Sequence, residues 1–375
     1  MRGIYIHIPF CRQACRYCDF FFSVSLKYMD LFVDALVEEI RQKGQTNPGR
    51  SLETLYLGGG TPSLLSSQQL DKIINAIHKY NSFKDLSEWT LECNPDDLSE
   101  NKVKMLRETG FNRLSIGVQS FHDKNLEIMR RSHNTEQAET SIRLASAGGF
   151  ELISMDLIFG IPGQTPEQWK ANIDMALSLP ISHLSAYHLT FEPGTVFDHW
   201  RKKGRLLPVP EEESIEQYRI LREKLLCAGF DHYELSNFGF GGIVSKHNML
   251  YWSGQAYLGL GPSAHSFDGN RRSWNISSLK DYMESLSSGQ IISESEELSI
   301  EERYHDYLIT SLRTKWGADP AFIEEKFGIE LRRHFEKQAQ DFLRSGSILE
   351  EAGRLVIEPA HWLITDHILR ALFIA

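Results

Sequence analysis

The chain lacks the features that mark membrane-spanning, secreted or nucleic-acid-binding proteins. It has no apolar run of about 18 residues, the length that a membrane span requires. The opening MRGIYIHIPF is too short and too strand-like for a signal peptide. Basic residues are in the minority, with 40 Lys and Arg against 50 Asp and Glu and a net charge of −10. The sequence therefore predicts a cytoplasmic protein with no membrane span and no nucleic-acid partner.

Cysteine is also scarce, with five residues, three of which fall within eight positions. An odd count with a tight cluster in a cytoplasmic chain favours metal binding over disulfides. Cys93 and Cys227 stand alone, and we expect each to be a small, buried apolar residue. The 41% hydrophobic and 24% charged residues are typical of a globular protein. A length of 375 residues is enough for about two or three domains.

Strand and helix patterns alternate along the first two thirds of the chain. Capping patterns mark helix starts at Ser66 and Thr165. Six such units predict a parallel sheet with outer helices, fewer than the eight of a closed barrel. We therefore predict an α/β fold with a partial, open (βα)6 barrel, whose ligands bind at the carboxyl ends of the strands. The predicted strands are 3–9, 54–57, 88–93, 113–118, 152–159 and 183–188, with 231–235 as a further extension.

The pattern changes after about residue 239, where glycine, aromatic residues and histidine become frequent. Beyond residue 296, helices and one hairpin predict a C-terminal, mainly helical, winged-helix-like module. The helices are predicted at 300–315, 320–327, 331–345 and 365–373, and the hairpin strands at 347–350 and 354–358. We expect a partial barrel at 1–236, a connecting segment at 237–296 and the C-terminal module at 297–375.

The three clustered cysteines, Cys11, Cys15 and Cys18, form a CxxxCxxC motif directly after the first predicted strand. Three thiolates can hold three irons of a [4Fe–4S] cluster and leave the fourth iron without a protein ligand. An open metal position marks a site that binds something else. The alternative is a zinc knuckle with a distant fourth ligand, but zinc sites more usually show paired CxxC modules. No second pair exists, so the spacing favours the cluster.

The segment YIHIPFCRQACRYC resembles the radical S-adenosylmethionine superfamily. Within it, the chain is similar to the oxygen-independent coproporphyrinogen III oxidase class, and most of all to that class's haem chaperone branch. The shared motifs are GGGTP, GVQSF, MDLIFGIPGQT and HNMLYW, and the resemblance covers nearly the whole chain. It implies a [4Fe–4S] cluster on the three cysteines, S-adenosylmethionine chelating the open iron, and a reductant for the cluster.

The resemblance also implies the residues that hold S-adenosylmethionine. Gly59, Gly60 and Thr61 follow a strand, and the family uses them to grip the methionine end, where a missing Cβ lets the backbone approach a ligand. Packing is the alternative role for Tyr17, and a structural ion pair is the alternative for Asp156, because a buried Asp without a partner is costly. Whether one or two S-adenosylmethionine molecules bind stays open. The other expected contacts are Tyr5, Tyr17, Glu92, Gln119, Arg131 and Asp156.

Two departures separate this chain from the oxidases. The oxidases carry a further cysteine where this chain has Phe20, and an extension before the first strand, which here begins at Gly3. The HNxxYW block, with His247 and Tyr251, resembles the haem-binding branch, and histidine is a common haem ligand. A lone histidine is more often a hydrogen-bonded loop residue. His265 is the alternative haem ligand, or a residue that helps to shape the site.

These observations favour a haem chaperone that binds haem through His247 and Tyr251 and transfers it to an acceptor protein. The cluster with S-adenosylmethionine would support or control that transfer. The rival hypothesis is a radical enzyme that oxidatively decarboxylates coproporphyrinogen III. A third class, radical modification of RNA, is disfavoured by the net charge of −10.

Overall fold

The computed structural model describes residues 2–46 and 49–374, and its main element is one twelve-stranded sheet. The strands are β1 (Gly3–Ile8), β2 (Arg50–Ser51), β3 (Thr54–Gly59), β4 (Asn81–Ser82), β5 (Glu88–Cys93), β6 (Arg113–Gln119), β7 (Leu152–Phe159), β8 (His183–His188), β9 (Phe230–Glu234), β10 (Asn237–Phe240), β11 (Tyr257–Leu260), β12 (His265–Phe267), β13 (Arg271–Asn275), β14 (Ser293–Glu297), β15 (Ile348–Glu351) and β16 (Arg354–Ile357).

The helices surround this sheet and form most of the C-terminal part. They are α1 (Met29–Gln45), α2 (Ser67–Tyr80), α3 (Glu100–Thr109), α4 (Asp123–Met129), α5 (Thr135–Ala147), α6 (Pro166–Leu177), α7 (Val196–Lys202), α8 (Glu211–Cys227), α9 (Lys246–Trp252), α10 (Leu279–Ser287), α11 (Ile300–Leu312), α12 (Pro320–Phe327), α13 (Ile329–Ser345) and α14 (Thr365–Leu372). None of the described helices is both long and apolar enough to cross a membrane.

The centre of the sheet is parallel and follows chain order, β1-β3-β5-β6-β7-β8. Each of these strands is one that the sequence predicts. The sheet continues beyond both ends of this set and does not close, so the prediction of a partial (βα)6 barrel is confirmed. Both predicted capping boxes, at Ser66 before α2 and at Thr165 before α6, are present.

Strand β1 shows how the pattern builds the barrel. Ile4, Ile6 and Ile8 are at most 2% exposed and belong to the main hydrophobic core. Because side chains alternate along a strand, Tyr5 and His7 point to the opposite face. That face is also partly buried, as expected for a parallel strand covered on both sides.

The segment 237–296 adds strands to the same sheet, which the sequence did not predict. Strand β11 pairs parallel with β1, and β12, β13 and β14 follow as antiparallel neighbours. At the other edge β10 pairs with β8, and β9 lies outside β10. The predicted boundaries at 236/237 and 296/297 stay predictions, because a continuous sheet does not mark where a domain ends.

A buried carboxylate ties α1 to this added part of the sheet. Glu39 is 0% exposed. It accepts hydrogen bonds from Gly261 N at 2.8 Å, Asn275 Nδ2 at 2.7 Å and Tyr282 Oη at 2.7 Å. Lys43 pairs with it at 2.7 Å. Buried charge of this kind is stable only when it is paired and hydrogen-bonded, so these contacts fix the position of β11 and β13 relative to α1.

The C-terminal part is mainly helical with a two-stranded wing, as the sequence predicts. Helices α11, α12, α13 and α14 are accompanied by the β15–β16 hairpin. The hairpin turns at Ala352 and Gly353, whose φ angles of 50° and 78° are those of the primed turns that suit hairpins.

The two lone cysteines differ in their surroundings. Cys93, at the end of β5, is 4% exposed, as expected. Cys227 is exposed, so the expectation that it is buried is wrong. It is the last residue of α8 and lies outside the apolar stripe of that helix.

Candidate functional site

A cavity of about 440 Å³ opens at the carboxyl ends of the parallel strands. Eleven of the fourteen side chains and glycines that the sequence singles out line it, which brings together positions more than 140 residues apart. They are Cys11, Cys15, Tyr17, Cys18, Gly59, Gly60, Thr61, Glu92, Gln119, Arg131 and Asp156. The remaining three are Tyr5, His247 and Tyr251.

The cysteine loop follows β1 and is held by backbone hydrogen bonds. Cys11 N donates to Ser23 O at 3.0 Å, and Ser23 N donates to Pro9 O at 2.7 Å. All three cysteines are half-buried. Burial raises the pKa of the Cys11 thiol and raises that of Cys18 to about 11, so metal binding must displace their protons.

The ligand atoms on this loop are spread out. Within residues 2–46 and 49–374, no three His, Cys, Asp or Glu side chains converge on the position of one metal ion. A cubane does not need such convergence, because each thiolate binds its own iron. Two donors lie beside the thiols: Thr61 Oγ1 at 3.5 Å from Cys11 Sγ, and Arg131 Nη1 at 3.5 Å from Cys15 Sγ.

The glycine turn after β3 is required by close packing. Gly59 has φ 105°, and a Cβ on it would lie 2.4 Å from His7 Nδ1. A Cβ on Gly60 would lie 2.6 Å from the carbonyl oxygen of Phe10. Both contacts are shorter than van der Waals distances, so only glycine lets this turn pack against β1 and the start of the cysteine loop.

Two half-buried carboxyls face the cavity. Glu92, near the end of β5, accepts hydrogen bonds from Tyr56 Oη at 2.7 Å and from Gly59 N at 3.0 Å. Burial raises its pKa to about 7. Burial also raises the pKa of Asp156 on β7 to about 6. In the described part of the chain Asp156 has hydroxyl contacts such as Ser115 at 3.5 Å, and no ion-pair partner.

Arg131 carries the positive charge of the cavity. Its Nη2 donates to Asn94 Oδ1 at 2.8 Å and to Gly117 O at 2.9 Å. Its Nη1 lies 3.4 Å from Tyr17 Oη as well as beside Cys15. Gln119 ends β6 with φ 67°, an uncommon conformation for a side chain other than glycine. These contacts fix a guanidinium between the cysteine loop and the strand ends.

A second cavity, of about 480 Å³, lies beside the first. Its lining includes Tyr5 and Tyr251, together with Tyr257 and His265. Phe20, in the cysteine loop, lines both cavities and is 67% exposed. This cavity is more aromatic than the first, and it lies between the cysteine loop and the start of β12.

His247 lines neither cavity. It is 1% exposed, its Nδ1 lies 2.8 Å from Thr54 Oγ1, and its Nε2 lies 2.8 Å from Tyr251 Oη. Its ring stacks on Tyr56 with centroids 5.0 Å apart. Burial lowers its pKa to about 3. A bond from this ring to a haem iron requires one of the two hydrogen bonds to break, and haem contact at His247 stays a prediction.

Sequence reasoning missed three residues that hold the site together. Asn94 bridges Arg131 and Thr61, and Tyr56 orients Glu92. Glu88 accepts hydrogen bonds from the backbone N–H groups of Lys246 at 2.8 Å and His247 at 3.0 Å, which anchors the start of α9 to the start of β5. Asn94 and Tyr56 lie in or just after predicted strands, which is the one signal that could have found them.

Comparisons with known proteins agree with this geometry. Residues 5–176 match the radical SAM superfamily model, and residues 298–366 match the HemN C-terminal domain model. The "Heme chaperone HemW" of Bacillus subtilis (strain 168) is 39% identical over 351 residues, which is 93% of each chain. That of Lactococcus lactis is 34% identical, over 94% of this chain and 92% of the relative.

Among solved structures, coproporphyrinogen III oxidase (HemN) from Escherichia coli superposes with a TM-score of 0.85. The match covers 99% of this chain and 89% of that one at 22% identity, which shows a shared fold. The two curated relatives above exceed 30% identity over nearly their whole length. On that evidence the chain belongs to the HemW family of heme chaperones, within the radical SAM superfamily.

Proposed function

We propose that the protein binds haem and transfers it to an acceptor protein. The observation that carries this proposal is the identity of 39% to a heme chaperone, spread over 93% of both chains. The proposal places the protein in the cytoplasm, where thiols remain reduced and available to iron.

The first cavity fits a [4Fe–4S] cluster with S-adenosylmethionine. Cys11, Cys15 and Cys18 are the three thiol ligands, on one loop that faces the cavity. A cluster held by these thiols would supply a coordination position for the amine and carboxylate of the nucleotide and a one-electron centre for a reductant. Thr61 and Arg131, both within 3.5 Å of a cysteine sulfur, donate toward the negative charge of the thiolates.

The other residues of the first cavity suit the remaining parts of the nucleotide. Glu92 and Asp156 are acceptors for an amine or for ribose hydroxyls, since neither has an ion-pair partner in the described structure. Gly59 and Gly60 bring backbone close to the ligand, and Tyr17 offers an aromatic face to the adenine. Gln119 completes the set at the end of β6. Tyr5 lines the second cavity together with Glu92 and not the first.

Oxidation of coproporphyrinogen III is the alternative function. The likeness to HemN supports it only at the level of the fold, because the identity is 22%. At the position where the oxidases carry an additional cysteine, this chain has Phe20, which is 67% exposed. Phenylalanine offers no thiol to the substrate, so this position disfavours the oxidase activity.

Anaerobic reconstitution followed by parallel assays tests the proposal. We expect the cluster-loaded protein to bind hemin with about one equivalent per chain in a difference-absorption titration. We expect no conversion of coproporphyrinogen III when a reductant and S-adenosylmethionine are supplied. Absence of saturable hemin binding would contradict the chaperone function. Turnover of coproporphyrinogen III would establish the alternative.

A further inference from the structure

We infer that the haem is held in the second cavity, with the His265 imidazole as its axial ligand. The inference rests on the proposed haem-binding function and specifies the place and the ligand. Three histidines lie in or next to this cavity: His7, His247 and His265. The three differ in their hydrogen bonds and in their exposure, and these differences decide which of them can bind iron.

Two of these histidines have both ring nitrogens engaged. His7 Nε2 donates to the carbonyl oxygen of Phe21 at 2.8 Å, which leaves Nδ1 to accept from Tyr5 Oη at 3.1 Å. His247 is fixed in the same way by Thr54 and Tyr251. Both rings are nearly fully buried. Neither nitrogen pair is available to an iron without loss of a buried hydrogen bond, which is unfavourable.

His265 is different. Its side chain is exposed, and neither ring nitrogen has a hydrogen-bond partner among the residues that the structure describes. Burial of part of the ring, followed by the charge of Arg272, lowers its pKa. The imidazole is therefore neutral near pH 7, which is the form that coordinates iron.

The ring of His265 is held in place without using its nitrogens. His265 begins β12 and is paired with Trp274 of β13, and the two rings stack with centroids 5.8 Å apart and an interplanar angle of 27°. The next residue, Ser266, accepts a hydrogen bond from Gly259 N at 2.9 Å through its hydroxyl. A ligand side chain fixed by stacking loses little freedom when it binds a metal.

The lining of the cavity suits a flat, apolar macrocycle. Tyr251 and Tyr257 meet edge to face with centroids 4.6 Å apart, and Phe20 is 67% exposed where it lines the same cavity. Large aromatic side chains of this kind contribute most of the apolar area in a binding site. His247 acts on this cavity through its hydrogen bond to Tyr251, which makes it a positioning residue.

Hemin titration of cluster-loaded His265 variants tests the inference. We expect His265→Ala to weaken hemin binding at least tenfold and to change the ferric signal of the bound hemin in electron paramagnetic resonance. We expect His265→Cys to give the absorption and resonance signals of a thiolate ligand. His367→Ala, which removes an exposed histidine in α14, should match the unmodified protein. S-adenosylmethionine binding to each variant reports whether the barrel is intact.

The outcomes separate this inference from the function on which it rests. If the unmodified protein binds hemin and His265→Ala keeps its affinity and its spectrum, the location is overturned and the function stands. If His247→Gln loses the axial signal while His265→Ala keeps it, the ligand is His247. If the unmodified protein binds no hemin, the proposed function fails, and the inference fails with it.

Discussion

The pH dependence of S-adenosylmethionine binding should report the ionisation of Glu92. The carboxyl is half-buried in the cavity wall, and its desolvation raises its pKa to about 7. A ligand that carries a sulfonium and an amine binds the carboxylate better than the neutral acid. The affinity for S-adenosylmethionine should therefore increase as the pH rises through 7 and decrease as the pH falls through 7. A group that binds the ligand in its protonated form would give the opposite dependence.

The size of the effect follows from the pKa. With a pKa of about 7, roughly nine tenths of Glu92 is ionised at pH 8 and roughly one tenth at pH 6. The dissociation constant of S-adenosylmethionine should increase about tenfold from pH 8 to pH 6, which corresponds to about 1.4 kcal/mol. Asp156, whose pKa is about 6, adds a smaller change at the acid end.

Calorimetric titration of the anaerobic, cluster-loaded protein from pH 6 to pH 8 measures this dependence. Glu92→Gln should bind more weakly at pH 8 and should lose the component with a midpoint near pH 7. Tyr56→Phe removes the hydroxyl that lowers the pKa of Glu92, so the midpoint should move above 7. A flat profile in the unmodified protein, or an unchanged profile in Glu92→Gln, would refute the reasoning.

Three further predictions concern the cluster, the glycine turn and the buried anchor. Cys15→Ala should abolish the cluster's absorption and reduce its iron content, whereas the exposed Cys227→Ala should leave both unchanged. Gly59→Ala places a Cβ 2.4 Å from His7 at a φ of 105°, so S-adenosylmethionine affinity should drop at least tenfold, as measured by equilibrium dialysis. Glu39→Gln removes a buried charge that holds three hydrogen bonds and should destabilise the protein by roughly 3 kcal/mol in urea unfolding, and a loss below about 1 kcal/mol would contradict its role as an anchor.

The part of the fold that the sequence predicts is the part with an apolar pattern. The six central strands are runs of buried residues, such as the Ile4, Ile6, Ile8 series in β1, and helices α2 and α6 start at side-chain caps. Strand β14 has the sequence SESEE and all five residues are exposed, so it carries no apolar signal. It exists because β13 offers an unpaired edge, which is a tertiary property.

In the site, too, local motifs could be predicted from the sequence and long-range contacts could not. The cysteine loop and the glycine turn are local motifs, and the structure brings them to one cavity. The burial of His247 depends on Thr54 and Tyr251, and the burial of Glu39 depends on Gly261, which is 222 residues away in the chain. Contacts over such distances leave no trace in local composition. The sequence alone therefore could not show that the side chains of His247 and Glu39 are both buried.

The two cavities share four lining residues, Asp19, Phe20, Gly59 and Glu92. A ligand in one cavity therefore alters the surroundings that the other offers. Linkage requires the effect to be mutual: the factor by which bound nucleotide changes the dissociation constant of hemin equals the factor by which bound hemin changes that of the nucleotide. With haem in the second cavity and the nucleotide in the first, as proposed, haem binding and S-adenosylmethionine binding would share a single coupling free energy. Its sign would decide whether the nucleotide retains the haem or releases it.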